Sequence, residues 1–254
     1  MLPSINDTIV KGMKAPEYID NHYNAAAHKY DMMVDIRLVI SDFDRTFTDG
    51  TLDVDAGLAN AIRIIKGRGI AFSLVSGRNY DFLLDFCGRL DGVVDSFVAE
   101  NGCIGHFKGK KYFIGRSGYR EALLERLDRF RVPYGHGEVI IAVDVRREKE
   151  LMEALSGLHD AFDVIKNMDS LMILPHGISK SSGAAWLSRM YKVSSDETAA
   201  IGDAENDVHL RDACGLLGAV SNAIPELKAA ADYVCKHGYG KGLQEFIEYI
   251  DKRC

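Results

Sequence analysis

Along the chain, apolar positions fall into short runs separated by stretches with helical spacing. The first run, Ile36 to Phe43, ends in a cluster of Asp and Thr. Leu58, Ile62 and Ile65 follow at helical intervals before Gly67 and Gly69, so the pattern predicts a strand, a polar loop and a helix. The sequence then repeats itself in kind: Ile70 to Val75 reads as a strand, Tyr80 to Leu90 as a helix and Val93 to Ala99 as a strand. Alternation of this sort implies a parallel sheet covered by helices.

After Asn101-Gly102 the texture changes. Cys103 to Phe107 and Tyr112 to Ile114 flank Lys108-Gly109-Lys110-Lys111, a hairpin signal with a Gly-containing loop. From about Arg116 to Leu174 the pattern predicts a helix (Gly118 to Phe130), a strand (Val139 to Val145), a helix (Arg147 to Leu158) and two short strands around Asn167-Met168-Asp169. The α/β rhythm returns with helix Lys180 to Tyr191, strand Thr198 to Ile201, helix Glu205 to Ala213, strand Leu216 to Val220 and helix Pro225 to Ala231. Tyr233-Val234 and a helix from Leu243 to Ile250 close the chain. The expected division is an N-terminal extension (1–35), an α/β core (36–114 and 175–254) and an inserted α+β unit (115–174).

Composition narrows the class. A chain of 254 residues can bury a sizeable interior. Its 47% hydrophobic and 27% charged content is that of a globular protein, with no apolar stretch near the roughly 18 residues that span a bilayer. No membrane partner is expected. A formal charge of -6 without a dense Lys/Arg stripe disfavours nucleic acid as a partner. Cys87, Cys103, Cys214, Cys235 and Cys254 are scattered and lack a C-x-x-C spacing, which predicts reduced, structural thiols in a cytoplasmic protein. The first residues do not pair a basic segment with an apolar one as a secretory signal does, and residues 25–33, AAAHKYDMM, are read as a helix packed on the core or on another subunit.

The candidate chemistry begins at Asp42-Phe43-Asp44-Arg45-Thr46. Two carboxylates two residues apart at a strand's end can both face the crevice where open α/β sheets bind ligands. One carboxylate can attack phosphorus while the other moves protons to the leaving oxygen and from water. Taken alone, such a pair also serves turns and helix caps. Gly202-Asp203-Ala204-Glu205-Asn206-Asp207 brings further hard oxygen donors to a second strand end, a set that suits magnesium with a phosphate; a solvated helix N-terminus favours the same residues. Ser76-Gly77-Arg78 and Lys180 supply a hydroxyl, backbone N–H groups and an ammonium of the kind a transferring phosphoryl group requires.

These four segments, in this order, resemble the haloacid dehalogenase superfamily, whose pattern is D-x-D-[GX]-T, then Ser/Thr, then Lys, then G-D-x-x-x-D or G-D-x-x-N-D. Ala99-Glu100-Asn101-Gly102 followed by a hairpin, the long insertion, Ala231-Asp232-Tyr233-Val234 and Gly238-Tyr239-Gly240-Lys241-Gly242 are similar to the Cof-type branch with a C2 cap. The short cap and the tail look like those of archaeal-type phosphoglycolate phosphatases, and sugar-phosphate phosphatases share most of these features. The resemblance implies a Rossmann-like α/β core with 115–174 as its cap, and a small phosphorylated metabolite as substrate. It implies Asp42 as nucleophile and Asp44 as general acid/base, with Ser76, Gly77 and Lys180 holding the phosphoryl group. Mg²⁺ would be bound by Asp42, the Asp44 carbonyl and Asp203, with Asp207 and Asn206 in support. A homodimer is compatible with it.

One departure stands out, because Arg45 occupies a loop position where the family usually has Gly. It is read either as a tolerated variant or as an additional charge for the substrate. Arg116, Arg120, His136, Arg146 and Arg147 are candidate anion contacts in the cap. A phosphomutase, and a silent metabolite-binding scaffold, are the readings left beside a phosphatase.

Overall fold

The computed structural model describes residues 35–167 and 169–253. The expected N-terminal extension up to residue 34, including the helix read over 25–33, lies outside the described residues, as do Met168 and Cys254.

The sheet grows outward from β1 (Leu38–Asp42), whose five residues are all buried. Helix α1 (Ala56–Gly67) is capped by Asp55, which accepts the N–H groups of Gly57 and Leu58, and it buries Leu58, Ala61, Ile62 and Ile65. Strand β2 (Ala71–Val75), helix α2 (Tyr80–Gly88) and β3 (Ser96–Ala99) follow, and β4 (Ile104–Phe107) and β5 (Lys110–Phe113) form the hairpin. Strands β1, β2 and β3 pair in parallel, whereas β3, β4 and β5 pair antiparallel.

The insertion carries helix α3 (Arg120–Arg129), β6 (Tyr134–His136), β7 (Ile141–Asp144), helix α4 (Glu148–Ala154), β8 (Phe162–Asn167) and β9 (Ser170–Pro175). Its four strands make an antiparallel sheet in the order β6-β7-β9-β8. Leu123, Leu127, Ile141, Leu151 and Ile173 fill a core of its own. The two connections to the main sheet touch each other, since a Cβ on Gly115 would lie 2.3 Å from the Ile178 side chain.

Helix α5 (Lys180–Tyr191) returns the chain to the main sheet. Ser179 caps it by accepting the Ser182 N–H at 3.2 Å, and Ser182 Oγ accepts the Ser179 N–H at 2.9 Å, a reciprocal arrangement that fixes the first turn. Strands β10 (Thr198–Gly202), β11 (Leu216–Ala219) and β12 (Tyr233–Val234), with helices α6 (Pro225–Ala230) and α7 (Tyr239–Asp251), complete the core. The eight strands run β12-β11-β10-β1-β2-β3-β4-β5. From β1 the chain first crosses to β2 on one side, and later reaches β10 on the other. The carboxyl end of β1 is therefore a topological switch point, where such sheets open a crevice.

Four local expectations change. The helix read over Glu205 to Ala213 is a succession of tight 3-10 turns. Asp207 N–H donates to the Ala204 carbonyl, and its carboxylate accepts the N–H groups of Asp203 and Ala204 at 3.0 Å each, curling the segment back on itself. In the insertion, β6 was not expected; it is three residues long and mostly exposed, so it offers no hydrophobic alternation. The two short strands near residue 168 are six residues each, and the helix read over Arg147 to Leu158 ends at Ala154. Among the described residues, no helix is long and apolar enough to cross a membrane.

Candidate active site

Asp42 is the last residue of β1, opposite Val75 at the end of β2. Phe43 turns the other way and is fully buried, its ring 4.7 Å from that of Phe86 and 5.7 Å from that of Phe82. Alternation along the strand end thus anchors Phe43 in the core and aims Asp42 at the crevice. Asp203 directly follows β10, next in the sheet to β1. Gly202 is required beside it, because a Cβ there would stand 2.5 Å from the Asp207 side chain.

At the centre lies the Lys180 ammonium, 2.6 Å from Asp42 Oδ1 and 2.7 Å from Asp207 Oδ1. All three side chains are buried. Asp42, Asp203 and Asp207 each offer a carboxylate oxygen within 4.8 Å of the others. Burial pushes the Asp42 carboxyl up, with Asp207 and Asp203 adding to the rise against the opposing Lys180. Asp203 is pushed up to about 6 by burial and by Asp207, while Arg45, Lys180 and the Thr46 hydroxyl oppose the shift. For Lys180 burial acts downward, but Asp207 and Asp42 outweigh it and hold the ammonium above its ordinary range. The common cause is a surplus of negative charge: three close carboxylates share one buried ammonium.

That surplus fits a divalent cation. Asp203 Oδ2 and Asn206 Oδ1 are both buried and have no hydrogen-bond partner, a costly state for oxygens unless something else coordinates them. Asp203 is otherwise oriented, its Oδ1 accepting from the Thr46 hydroxyl at 3.2 Å. Asn206 is fixed by donating from Nδ2 to Asn101 Oδ1 at 3.3 Å.

The remaining expected residues sit around this centre with different partners. Asp44 is outside the carboxylate cluster. Its half-exposed side chain is gripped by Arg78, whose Nε lies 3.0 and 3.1 Å from the two oxygens and whose outer nitrogen lies 2.6 Å from Oδ1. The expectation that Asp42 and Asp44 share one crevice is thereby divided into a buried carboxylate and a carboxylate at the mouth. Arg78 itself stacks 5.0 Å above the Phe82 ring. Ser76, fully buried, accepts the Arg78 N–H at 3.0 Å through Oγ. Gly77 packs on Asn101, where a Cβ would approach Oδ1 to 3.2 Å.

Arg45 adopts φ 63°, the left-handed conformation that favours glycine. Its Nε lies 3.2 Å from Asp203 Oδ2 in an ion pair whose N–H is not aimed at the oxygen. The Arg45 carbonyl accepts from Asn222 Nδ2 at 2.9 Å. In the insertion, the candidate anion contacts have protein partners. Arg120 donates to the carbonyls of Val139 and Gly137, and His136 Nδ1 lies 3.0 Å from the Gly137 carbonyl. Arg146 pairs with Asp144, Arg147 with Glu150, and Arg116 stacks on Phe113. Sequence reasoning missed Arg78 as the partner of Asp44 and Thr46 as the partner of Asp203. Both lie inside segments it had singled out.

A mostly parallel sheet with a cationic and carboxylate centre at its switch point, and a small antiparallel unit inserted after β5, defines a capped α/β enzyme built to handle an anion beside a divalent cation. A family model described as haloacid dehalogenase-like hydrolase matches residues 39–128 and 136–247. The chain belongs to this family, whose phosphatases generally use a divalent metal. It is 32% identical over 222 residues to a protein named phosphoglycolate phosphatase from Metallosphaera sedula, covering 85% of this chain and 99% of that one. It is 31% identical over 237 residues to phosphoglycolate phosphatase 1 of Saccharolobus solfataricus, covering 85% and 96%. Among solved structures, Thermoplasma acidophilum 0175 superposes with a TM-score of 0.73 at 21% identity, over 85% of this chain and 98% of that one.

Proposed function

We propose that the protein is a Mg²⁺-dependent phosphatase that hydrolyses a small phosphorylated metabolite through an aspartyl-phosphate on Asp42, with 2-phosphoglycolate as the first candidate substrate. The observation that carries this reading is the 2.6 Å contact of Asp42 with the buried Lys180 beside a buried Asp203 oxygen that accepts no hydrogen bond. The names of the relatives from M. sedula and S. solfataricus support the substrate. Residues 115–174 act as the cap over this site.

Asp42 attacks phosphorus, and the bond to the ester oxygen breaks as that oxygen takes a proton from Asp44. Asp44 then removes a proton from water, whose oxygen displaces Asp42 from phosphorus and releases inorganic phosphate. Lys180 carries positive charge to the phosphoryl oxygens, and the Ser76 hydroxyl and Gly77 N–H donate to them. Asp42, the Asp44 carbonyl and Asp203 would hold the metal, with Asn206 and Asp207 in support; when bound, it would offset the repulsion between carboxylate and phosphate. Asp207 also has a second task, since its oxygens fasten Lys180 and the backbone of Asp203 and Ala204. The four described cysteines are free and buried, with Cys87, Cys214 and Cys235 pushed up to about 12 mainly by burial, which supports an inert structural role in a cytoplasmic enzyme.

Purified protein should release phosphate from a panel of phosphorylated metabolites in MgCl₂, with 2-phosphoglycolate ranking high by kcat/KM, and should stop in EDTA. Absence of release from every compound overturns the reading, and an isomerised sugar phosphate with little free phosphate replaces it by a mutase.

Arg45 places a positive charge where the metal's own charge is needed. Arg45→Gly should tighten Mg²⁺ binding, measured by titration calorimetry, by about tenfold, the scale of a unit charge on a divalent ion several ångströms away in a well-hydrated site. Metal-free stability is a poor readout, because relief of the left-handed backbone (about 1 kcal/mol) and loss of a half-exposed ion pair (under about 1 kcal/mol) oppose each other. An unchanged Mg²⁺ affinity would refute this role.

A further inference from the structure

The tripeptide Glu100-Asn101-Gly102 follows β3 at the carboxyl end of the sheet, and the catalytic scheme gives it no part. Its backbone is unusual: Glu100 and Asn101 both have φ 52°, and Gly102 has φ 112°. Consecutive left-handed residues persist only where surrounding contacts over-determine them. Here the contacts come from both halves of the molecule.

On the core side, Glu100 N–H donates to the Arg78 carbonyl at 2.9 Å, and Asn101 N–H to the Ser76 carbonyl at 2.8 Å. Asn101 Oδ1 accepts from Asn206. Gly102 lies so close to the residue before Lys180 that a Cβ would stand 2.0 Å from the Ser179 carbonyl oxygen. Three residues thus touch the loop bearing Ser76 and Gly77, the start of the Lys180 helix and the Asn206 loop.

On the cap side, the fully buried Glu100 side chain reaches the loop between β6 and β7. Oε1 accepts the Glu138 N–H at 2.9 Å, and Oε2 accepts those of Val139 and Ile140 at 2.8 and 3.0 Å. The carbonyls of the same loop face the opposite way, where Gly137 and Val139 accept from Arg120 of α3 at 3.0 and 3.2 Å. Gly137 leaves just enough room, since a Cβ there would fall 2.3 Å from Oε1 and 2.6 Å from Oε2. Val139 and Ile140 bury their side chains in the core's hydrophobic cluster, not the cap's own. At the rim Lys111 of β5 pairs with Glu138, an exposed tie of small weight.

We propose that Glu100 is a positioning residue that locks the cap onto the core in register with the phosphoryl-binding loops, and so sets how well the site takes a substrate whose leaving group the cap must cover. The carboxylate satisfies three backbone donors at once, those of Val139 and Ile140 buried and that of Glu138 partly so, which a single amide oxygen cannot do without turning its own N–H groups toward one of them. The same turn that aims it also ties the Ser76 and Asn206 loops, so cap seating and loop position form one hydrogen-bonded unit. The inference deepens the phosphatase reading and rests on it for its kinetic half only.

Two variants approach the lock from opposite sides. Glu100→Gln keeps the shape and disrupts the acceptor pattern. Gly137→Ala changes no residue of the core and pushes the Glu100 carboxylate away from the cap loop. Each should speed hydrogen exchange of the amides of residues 138–140 by at least about tenfold relative to the wild-type protein. Each should also lower kcat/KM for 2-phosphoglycolate by about tenfold or more, mainly through KM, while kcat for p-nitrophenyl phosphate, whose leaving group needs little help, moves less than about threefold. Unchanged amide exchange in both variants overturns the lock. An equal loss on both substrates overturns it too, and assigns Glu100 to the catalytic loops alone. Should the wild-type protein leave 2-phosphoglycolate intact, that substrate proposal fails and the exchange comparison still decides the lock.

Discussion

Asp42→Asn should lower phosphate release by at least about 10⁴-fold, the scale of losing a nucleophile that forms the covalent intermediate. Asparagine keeps the size of the side chain and one acceptor for Lys180, and removes only the charge and the nucleophilic oxygen. Folding should not suffer. The Asp42 carboxyl is pushed up by burial and by Asp207 and Asp203, so in the folded protein it holds its proton to higher pH than an ordinary carboxyl does. Ionising it therefore costs stability as pH rises above the ordinary carboxylate range. The amide escapes that cost, and thermal unfolding in EDTA at pH 7 should occur at the wild-type temperature or above it. The stabilisation gained on adding MgCl₂ should shrink, because one carboxylate of the cluster is gone. Turnover above about a hundredth of wild type would remove Asp42 from the nucleophile's role.

The sign of that stability effect was not available from the sequence, although the residue was. Strands β1 and β10 announced themselves because each is buried along its whole length, and uninterrupted apolar runs are what two-sided burial requires. Helix α5 was legible over its observed range, Lys180 to Tyr191, whereas the Ser179–Ser182 cap that starts it and the left-handed Lys192 that ends it show only in the structure. Strand β6 has too few buried positions to carry a pattern. The 3-10 turns after Asp203 exist because Asp207 bonds back to the strand end, a tertiary choice that overrides helix propensity. Within the site, residue types at strand ends located the chemistry, but partner choice stayed hidden. Arg78 could have met Asp44 or solvent, Arg45 could have faced outward, and Glu100 carried no sign that its acceptors would be claimed by a loop almost forty residues later in the chain.

Lys180→Met carries the second large expected effect, and it acts on stability as well as on turnover. Methionine is close to lysine in length, so the packing survives while the ammonium is lost. Asp42 and Asp207 would then face each other across the place it occupied, both buried. Removing one partner from a buried charge cluster costs about 3–5 kcal/mol, which for a protein of this size lowers Tm by roughly 6–20 °C. Phosphate release should fall along with it, since in the proposed mechanism the phosphoryl oxygens lose the Lys180 charge. The stability loss should be greatest at pH 7 in EDTA and should shrink as pH falls, because protonating either carboxylate removes the repulsion. It should also shrink in MgCl₂. The decisive comparison is the double variant. If charge imbalance is the cause, adding Asp42→Asn to Lys180→Met should recover a substantial part of the lost Tm, so that the two substitutions are strongly non-additive. A double variant no more stable than Lys180→Met would mean that the lysine contributes through packing, and the charge account of the site would fall.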